Sequence, residues 1–206
     1  MKKAIIYLHG FNSASLDLSG NLLTSKQKLV VLDRFSKEKQ IKFCTPNVDY
    51  RSFENVIRYL TELFEDFKSK DFNVLFMGSS LGGFTSEYMA MKTQSKAIMI
   101  NPAISPSELL TQFIGVSENF ELNEPFDWSM SHCEQYISYE KELNKLLNNK
   151  ISRTILLDMA DELIDSSKTL EKYQQIADVI TFPGGSHGFE HIEEALPAID
   201  KVIDSI

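Results

Sequence analysis

The sequence predicts a three-layer α/β/α sandwich built on a mostly parallel sheet. Short apolar runs recur along the chain without polar alternation, as strands buried on both faces read. Patterns of apolar residues spaced by three and four fall between those runs and read as helices. The 206 residues suffice for one sizeable core and are too few for two ordinary domains. A content of 43% hydrophobic and 24% charged residues fits a globular chain and excludes a disordered one.

The strand candidates are AIIYL (4–8), IKFC (41–44), NVLFM (73–77), KAIMI (96–100), RTILLDM (153–159) and DVITF (178–182). The opening MKKAIIYLHG superficially resembles a secretion signal. Its apolar run ends at His9-Gly10 with no small-residue cleavage site, so it reads as a first buried strand. The first helix candidate carries Phe53, Val56, Ile57, Leu60, Leu63, Phe64 and Phe67, with Ser52 as its N-cap. A second follows the glycines at 82 and 83, with Phe84, Tyr88 and Met91 on one face. A weaker third has Leu170, Tyr173 and Ile176. The last carries Ile192, Ala195, Leu196, Ile199, Val202 and Ile203. Pro197 either kinks it or marks its true start, and His191 is placed on it.

Residues 105–150 break the alternation. They include GVSENFELNEPFDWSM, rich in acids and aromatics and without a strand signal. The stretch is expected to be a lid-like insertion, with one helix over 136–147, in a single domain spanning 1–206. Phe126 and Trp128 within it could line a pocket, but such aromatics are more often local core, the reading favoured here.

The net charge is −8 and no dense Lys/Arg stripe occurs, so nucleic acid is not an expected partner. Cys44 and Cys133 stand far apart, outside any CxxC or Cys/His cluster. They read as reduced thiols in a reducing compartment rather than a disulfide or a metal site. No run is long enough to span a membrane, and a cytoplasmic protein is expected.

The chemistry centres on FMGSSLGGF (76–84). The template G-x-S-x-G fits in one register, Gly78-Ser79-Ser80-Leu81-Gly82, which makes Ser80 the candidate nucleophile. Ser79 in that role would need glycines at 77 and 81, where Met77 and Leu81 stand. An apolar strand before the motif and a helix after it make a sharp strand–turn–helix. Small flanking residues relieve the crowding at such a turn, and the helix start directs its dipole at the site. A phosphate-binding loop is excluded because no lysine follows the glycines.

A serine needs a base, and the base needs a carboxylate to orient it. Of four histidines, His187 lies in PGGSHGF, an irregular loop after the final strand, and is the candidate base. His9 closes the first strand and reads as structural support. His132 falls in the insertion. For the acid, LLDMADELID offers Asp158, Asp161, Glu162 and Asp165. Asp158 falls within the strand and Asp165 can cap the next helix. Asp161 lies just past the strand end and is favoured, with Glu162 and Asp165 still open. The order Ser80, Asp161, His187 is that of one widespread serine-hydrolase arrangement. The oxyanion donors would be the N–H groups of Leu81 and of Phe11 in LHGF, each worth about 3 kcal/mol to a tetrahedral intermediate. Gly10 and Asn12 of that loop are the candidate substrate contacts.

These motifs together resemble the α/β-hydrolase superfamily, and within it the small bacterial YqiA/YcfP-like esterase family. The blocks are YLHGFNS (7–13), GSSLGGF (78–84), INPAISPSELL (100–110), DELID (161–165) and GGSHGF (184–189), in that order. INPAISPSELL is the most family-specific. The resemblance implies a compact α/β-hydrolase fold and a cofactor-independent hydrolase acting on small-molecule esters or thioesters. It assigns Ser80, Asp161 and His187 as the triad. The chain departs from the pattern at 14–28 and 115–130, which are expected to border the pocket. The acidic balance suggests uncharged acyl groups.

A rival reading is HGFEH (187–191), an H-x-x-E-H zinc motif with His187 and His191 as ligands and Glu190 as base. It needs a helix running through Gly188 straight after PGGS, and a third ligand for which Glu194 and Asp200 are generic candidates. It also leaves the Ser80 context unused. A hydrolase fold kept for binding alone is the other alternative.

Overall fold

Every predicted apolar run becomes a strand in the computed structural model, which describes residues 2–146 and 151–206. The strands are β1 (Lys2–Leu8), β2 (Lys42–Cys44), β3 (Phe72–Ser79), β4 (Lys96–Ile100), β5 (Gly115–Asn119), β6 (Glu124–Trp128), β7 (Arg153–Asp158) and β8 (Asp178–Phe182). Six of them form one sheet in the order β2-β1-β3-β4-β7-β8, with every neighbouring pair parallel. The helices are α1 (Gln27–Glu38), α2 (Phe53–Ser69), α3 (Leu81–Thr93), α4 (Pro106–Leu109), α5 (Met130–Glu134), α6 (Tyr136–Leu146), α7 (Ser166–Tyr173) and α8 (Ile192–Asp204).

The unbroken apolar runs follow from burial on both faces. Successive strand residues point to opposite sides. Ile6, Leu8, Phe76, Met99, Ile155 and Leu157 meet α2, α3 and part of the 105–146 segment. Ile5, Tyr7, Leu75, Met77, Ile98 and Leu156 meet α1 and α8. Two apolar cores thus sandwich the sheet, which is the predicted three-layer arrangement. A polar tie crosses the first core. Buried Glu87 of α3 accepts Arg153 Nε of β7 at 2.7 Å and the Tyr173 hydroxyl of α7 at 2.6 Å.

Strand order places the site. After β1 the chain passes to α1 on one face, and after β3 it passes to α3 on the other. The crevice between two such diverging connections lies at the carboxyl ends of the strands, where ligands of open α/β sheets bind.

Three features differ from the sequence reading. Helix α1 was not expected. Residues 105–150 were expected to hold no strand, yet β5 and β6 form an antiparallel hairpin with Gly115 opposite Trp128. Alternation is inverted there: Val116 faces outward at 82% exposure while Ser117 is buried, so no strand pattern shows. Of the two placements read for Pro197, the one inside α8 is observed, whereas His191 precedes the helix instead of riding on it. The helix expected over 136–147 is α6, with Leu147 outside the described residues. Leu110, Trp128, Cys133, Tyr136 and Leu143 of this stretch are buried in the core beside α2 and α3, so Trp128 is core as read. Phe126 is half-buried and packs edge-on to Phe11. Cys44 and Cys133 are both free thiols.

Candidate active site

The two adjacent serines separate at the end of β3. Ser79 is still strand, and its buried hydroxyl pairs with the Tyr7 hydroxyl at 3.0 Å. Ser80 leaves the strand at φ 55°, ψ −123°, a conformation costly for any residue but glycine. The turn is held from several sides. Ser80 N donates to Ile100 O of β4, and Ser80 O accepts the N–H groups of Gly83, Phe84 and Ala103. Gly78 and Gly82 are required by close approach. A Cβ on Gly78 would collide with the Gly82 backbone, and one on Gly82 with the carbonyls of Leu8 and His9. The G-x-S-x-G spacing therefore lets the sheet and α3 close on each other around a strained serine.

The β1 loop is built to stay rigid and neutral. His9 is buried; its Nε2 accepts Val48 N–H at 3.0 Å, which leaves Nδ1 to donate to Gly10 O at 2.8 Å. Burial holds its pKa down to about 4, so the ring is uncharged at neutral pH. Gly10 faces Ser80, and a Cβ there would sit 3.2 Å from the Ser80 Cβ. Asn12, at φ 55°, donates through Nδ2 to Ser117 Oγ of the hairpin at 2.8 Å.

The acid and base candidates meet after β7 and β8. His187 Nδ1 lies 2.8 Å from Asp161 Oδ2 and 3.1 Å from Oδ1. The Asp161 side chain is fully buried, and Oδ1 also accepts Leu163 N–H and Ile164 N–H. The other carboxylates are engaged elsewhere. Glu162 accepts the His187 backbone N–H at 3.0 Å, and Asp165 caps α7 through Ser167 N–H and Lys168 N–H. Asp158 ends β7 as read from the sequence. It forms a second aspartate–histidine pair, Oδ1 to His191 Nδ1 at 2.7 Å, while Oδ2 accepts Ser186 N–H and Glu190 N–H. That carboxylate raises the His191 pKa.

Ser80, His187, Gly10, Phe11 and Asn12 line one cavity of about 560 Å³. A smaller cavity of about 140 Å³ opens from the same point between Ser80, His187, Leu81 and Phe11, and is walled by Leu109, Leu110, Phe113, Leu163 and Ile164. The predicted site residues thus converge at the carboxyl edge of the sheet, with Asp161 behind His187.

Asn101 was missed by sequence reasoning. It is buried at φ 40°, donates through Nδ2 to Ser186 O and accepts Asp158 N–H, so it ties β7 to the His187 loop. Its only signal was its place in INPAISPSELL. The zinc geometry is not formed. Residues 187–191 precede α8, and each histidine faces its own aspartate. His191 turns to buried Asp158. Among the described residues, no three His, Cys, Asp or Glu side chains converge as metal ligands.

Comparison with known proteins agrees with this architecture. The family described as "Uncharacterised protein family (UPF0227)" matches residues 4–203. The chain belongs to UPF0227. A UPF0227 protein of Vibrio parahaemolyticus is 26% identical over 198 residues, covering 96% of this chain and 97% of its own. Among solved structures, Est1E from Butyrivibrio proteoclasticus superposes with a TM-score of 0.73 at 15% identity, over 99% of this chain and 88% of that one. A soluble variant of monoglyceride lipase from Saccharomyces cerevisiae gives 0.66 at 13% identity, over 100% and 87%. This UPF0227 chain has the α/β-hydrolase fold. Among its described residues, no helix is long and apolar enough to cross a membrane.

Proposed function

We propose that the protein is a serine hydrolase that cleaves carboxylic esters or thioesters through an acyl-Ser80 intermediate. The observation that carries this reading is a serine on a strained strand–helix turn sharing a cavity with a histidine whose far nitrogen is held by a buried aspartate. Neighbours of the same fold include proteins described as lipolytic enzymes and a lipase, which supports ester chemistry.

Asp161 at His187 Nδ1 fixes the tautomer that leaves Nε2 as acceptor. His187 takes the Ser80 proton as Oγ bonds to the substrate carbonyl carbon. The N–H groups of Phe11 and Leu81 receive the oxyanion. The bond to the leaving oxygen or sulfur then breaks, and that atom collects the proton from His187. Water repeats the sequence against the acyl-enzyme and regenerates Ser80. The segment 105–146 walls the acyl side through Leu109, Leu110 and Phe113.

The test is hydrolysis of p-nitrophenyl acetate and butyrate by wild type and Ser80→Ala, with and without a zinc chelator. Activity that resists the chelator and disappears in Ser80→Ala is the expected result. Activity persisting in Ser80→Ala, or lost to the chelator, refutes the mechanism. No turnover in any sample leaves two readings, a narrow substrate range or a hydrolase fold kept for binding.

A further inference from the structure

The larger cavity is unlike its small apolar neighbour. Beyond Ser80 its wall is made by the segment 12–15 and the start of α1, with Ser13, Ser15, Lys26 and Lys28. Lys26 is already neutralised, 2.6 Å from Glu121, and also donates to Ser13 Oγ. Lys28 is different. Its Nζ donates to Gly188 O at 3.0 Å, and among the described residues no carboxylate lies within ion-pair distance. Ser15 is fully buried on the same wall, and its Oγ has no hydrogen-bond partner. A half-buried ammonium and an unused hydroxyl at one cavity wall are the donors that a compact anion accepts.

We propose that this wall is an anion seat, centred on Lys28 and Ser15, that binds a carboxylate or phosphate on the leaving half of the substrate. The inference rests on the serine-hydrolase reading and names its substrate class. The side is assigned by contrast: the small cavity beside Ser80 is walled by apolar side chains, whereas Lys28 lines the larger one, so the charged half of the substrate falls to the larger cavity and is taken as the leaving half. The hydrocarbon half goes to the cavity walled by Leu109, Leu110, Phe113, Leu163 and Ile164. The expectation of an uncharged acyl group then holds for the acyl half only. The net charge of −8 is a property of the whole surface, whereas recognition depends on the charges that face the cavity.

The acidic groups near the seat do not cancel it. Glu121 is spent on Lys26. The carboxylates of Asp158 and Asp161 accept backbone N–H groups and histidines. Glu190 lines the cavity but is exposed. Burial and the nearby Lys26 hold the Lys28 pKa down to about 7, which a bound anion would oppose.

The experiment compares 3-(butyryloxy)benzoate, 3-(butyryloxy)phenyl phosphate and the neutral 3-(butyryloxy)benzamide in wild type and Lys28→Met. Wild type is expected to favour at least one anionic ester over the amide by about tenfold or more in kcat/KM, the scale of a charge-assisted contact. Lys28→Met is expected to bring that ratio close to one. The two anionic arms distinguish carboxylate from phosphate. Absence of a preference in wild type overturns the seat. So does an equal loss on all three esters in Lys28→Met, which would make Lys28 only a tie to the His187 loop. Calorimetric binding of 3-hydroxybenzoate and phenyl phosphate to Ser80→Ala, with and without Lys28→Met, separates the two claims. Lysine-dependent binding without turnover would sink the hydrolase reading and keep the seat. Turnover with no such binding or preference would do the reverse.

Discussion

Replacing Asp161 by asparagine tests the proposed triad at its least obvious member. The carboxylate works at both oxygens. Oδ1 accepts Leu163 N–H and Ile164 N–H at 2.8 Å each, and Oδ2 lies 2.8 Å from His187 Nδ1. An asparagine keeps a single oxygen. Two fixed backbone donors hold that oxygen in place, so the amide NH₂ turns toward His187. Nδ1 must then accept, which moves the imidazole proton to Nε2, the atom that has to receive the Ser80 proton. A wrong tautomer of this kind costs about 10⁴-fold in a serine protease, or about 5 kcal/mol of transition-state stabilisation. The fold loses far less. Three charge-assisted hydrogen bonds become neutral ones, but the cost of keeping a buried charge is removed with them, a net change of about 1–2 kcal/mol. The assay is kcat on p-nitrophenyl butyrate beside thermal unfolding of the same sample. Turnover should fall by three to four orders of magnitude while the midpoint moves by only a few degrees. A folded Asp161→Asn protein within tenfold of wild-type turnover would refute the reasoning. Loss of activity in Glu162→Gln would then move the acid to Glu162, which already touches the His187 backbone.

Other outcomes follow from the same geometry. Glu87→Ala removes the carboxylate that meets buried Arg153 and Tyr173, and should cost about 3–5 kcal/mol, or about 10 °C in Tm by calorimetry. Buried His9 resists protonation down to about 4, whereas in the unfolded chain it titrates near 6.5. The unfolded state therefore takes up the proton first, and stability is lost as pH falls from 6.5 toward 4, by up to about 3 kcal/mol. Urea unfolding across that range should show the slope, and His9→Gln should flatten it. Asp158→Ala strips the acceptor from Ser186 N–H and Glu190 N–H, so hydrogen exchange at those two amides should accelerate while the β1 and β3 amides stay protected. Gly185, at φ 74°, faces the Asp158 carboxylate, and a Cβ there would overlap it. Gly185→Ala should therefore lower Tm, and an unchanged midpoint would mean that the loop can move away without cost.

The sheet was legible because strands covered on both faces carry continuous apolar runs, as in residues 4–8 and 73–77. The serine turn was legible because its backbone demands a local spacing of glycines. What escaped depends on partners distant in sequence. Helix α1 presents Leu29, Val31, Leu32 and Phe35 to the core, but lysines flank them, and the segment read as divergent, 14–28, ends where the helix begins. The hairpin hid because its apolar Val116 points outward and its polar Ser117 inward. Asn101 contacts residues 57 and 85 positions away, a relation with no period to detect. Lys28 is one of many lysines in the chain, and only the fold brings it beside Gly188.

The two aspartate–histidine pairs that join the ends of β7 and β8 show why carboxylate roles could not be separated by sequence alone. Asp158 is the acid closer to the strand, and it is as buried as Asp161. Its contacts, however, run to Ser186 N–H, Glu190 N–H and His191, which bracket His187 on both sides without touching its ring. His191 does not reach either cavity beside Ser80. Asp158 and Asn101 thus fix the loop backbone from the strand side, and Asp161 is left to hold the His187 imidazole at the cavity. An irregular loop lacks the regular hydrogen bonds of a helix or strand. To hold a ring in place against Ser80, its orphan N–H and C=O groups need partners, and a buried carboxylate with a buried amide supplies them. The anion proposed at Lys28 would add a further anchor to that loop through the ammonium at Gly188 O. Binding of the charged leaving half and alignment of His187 would then be coupled through a single backbone carbonyl.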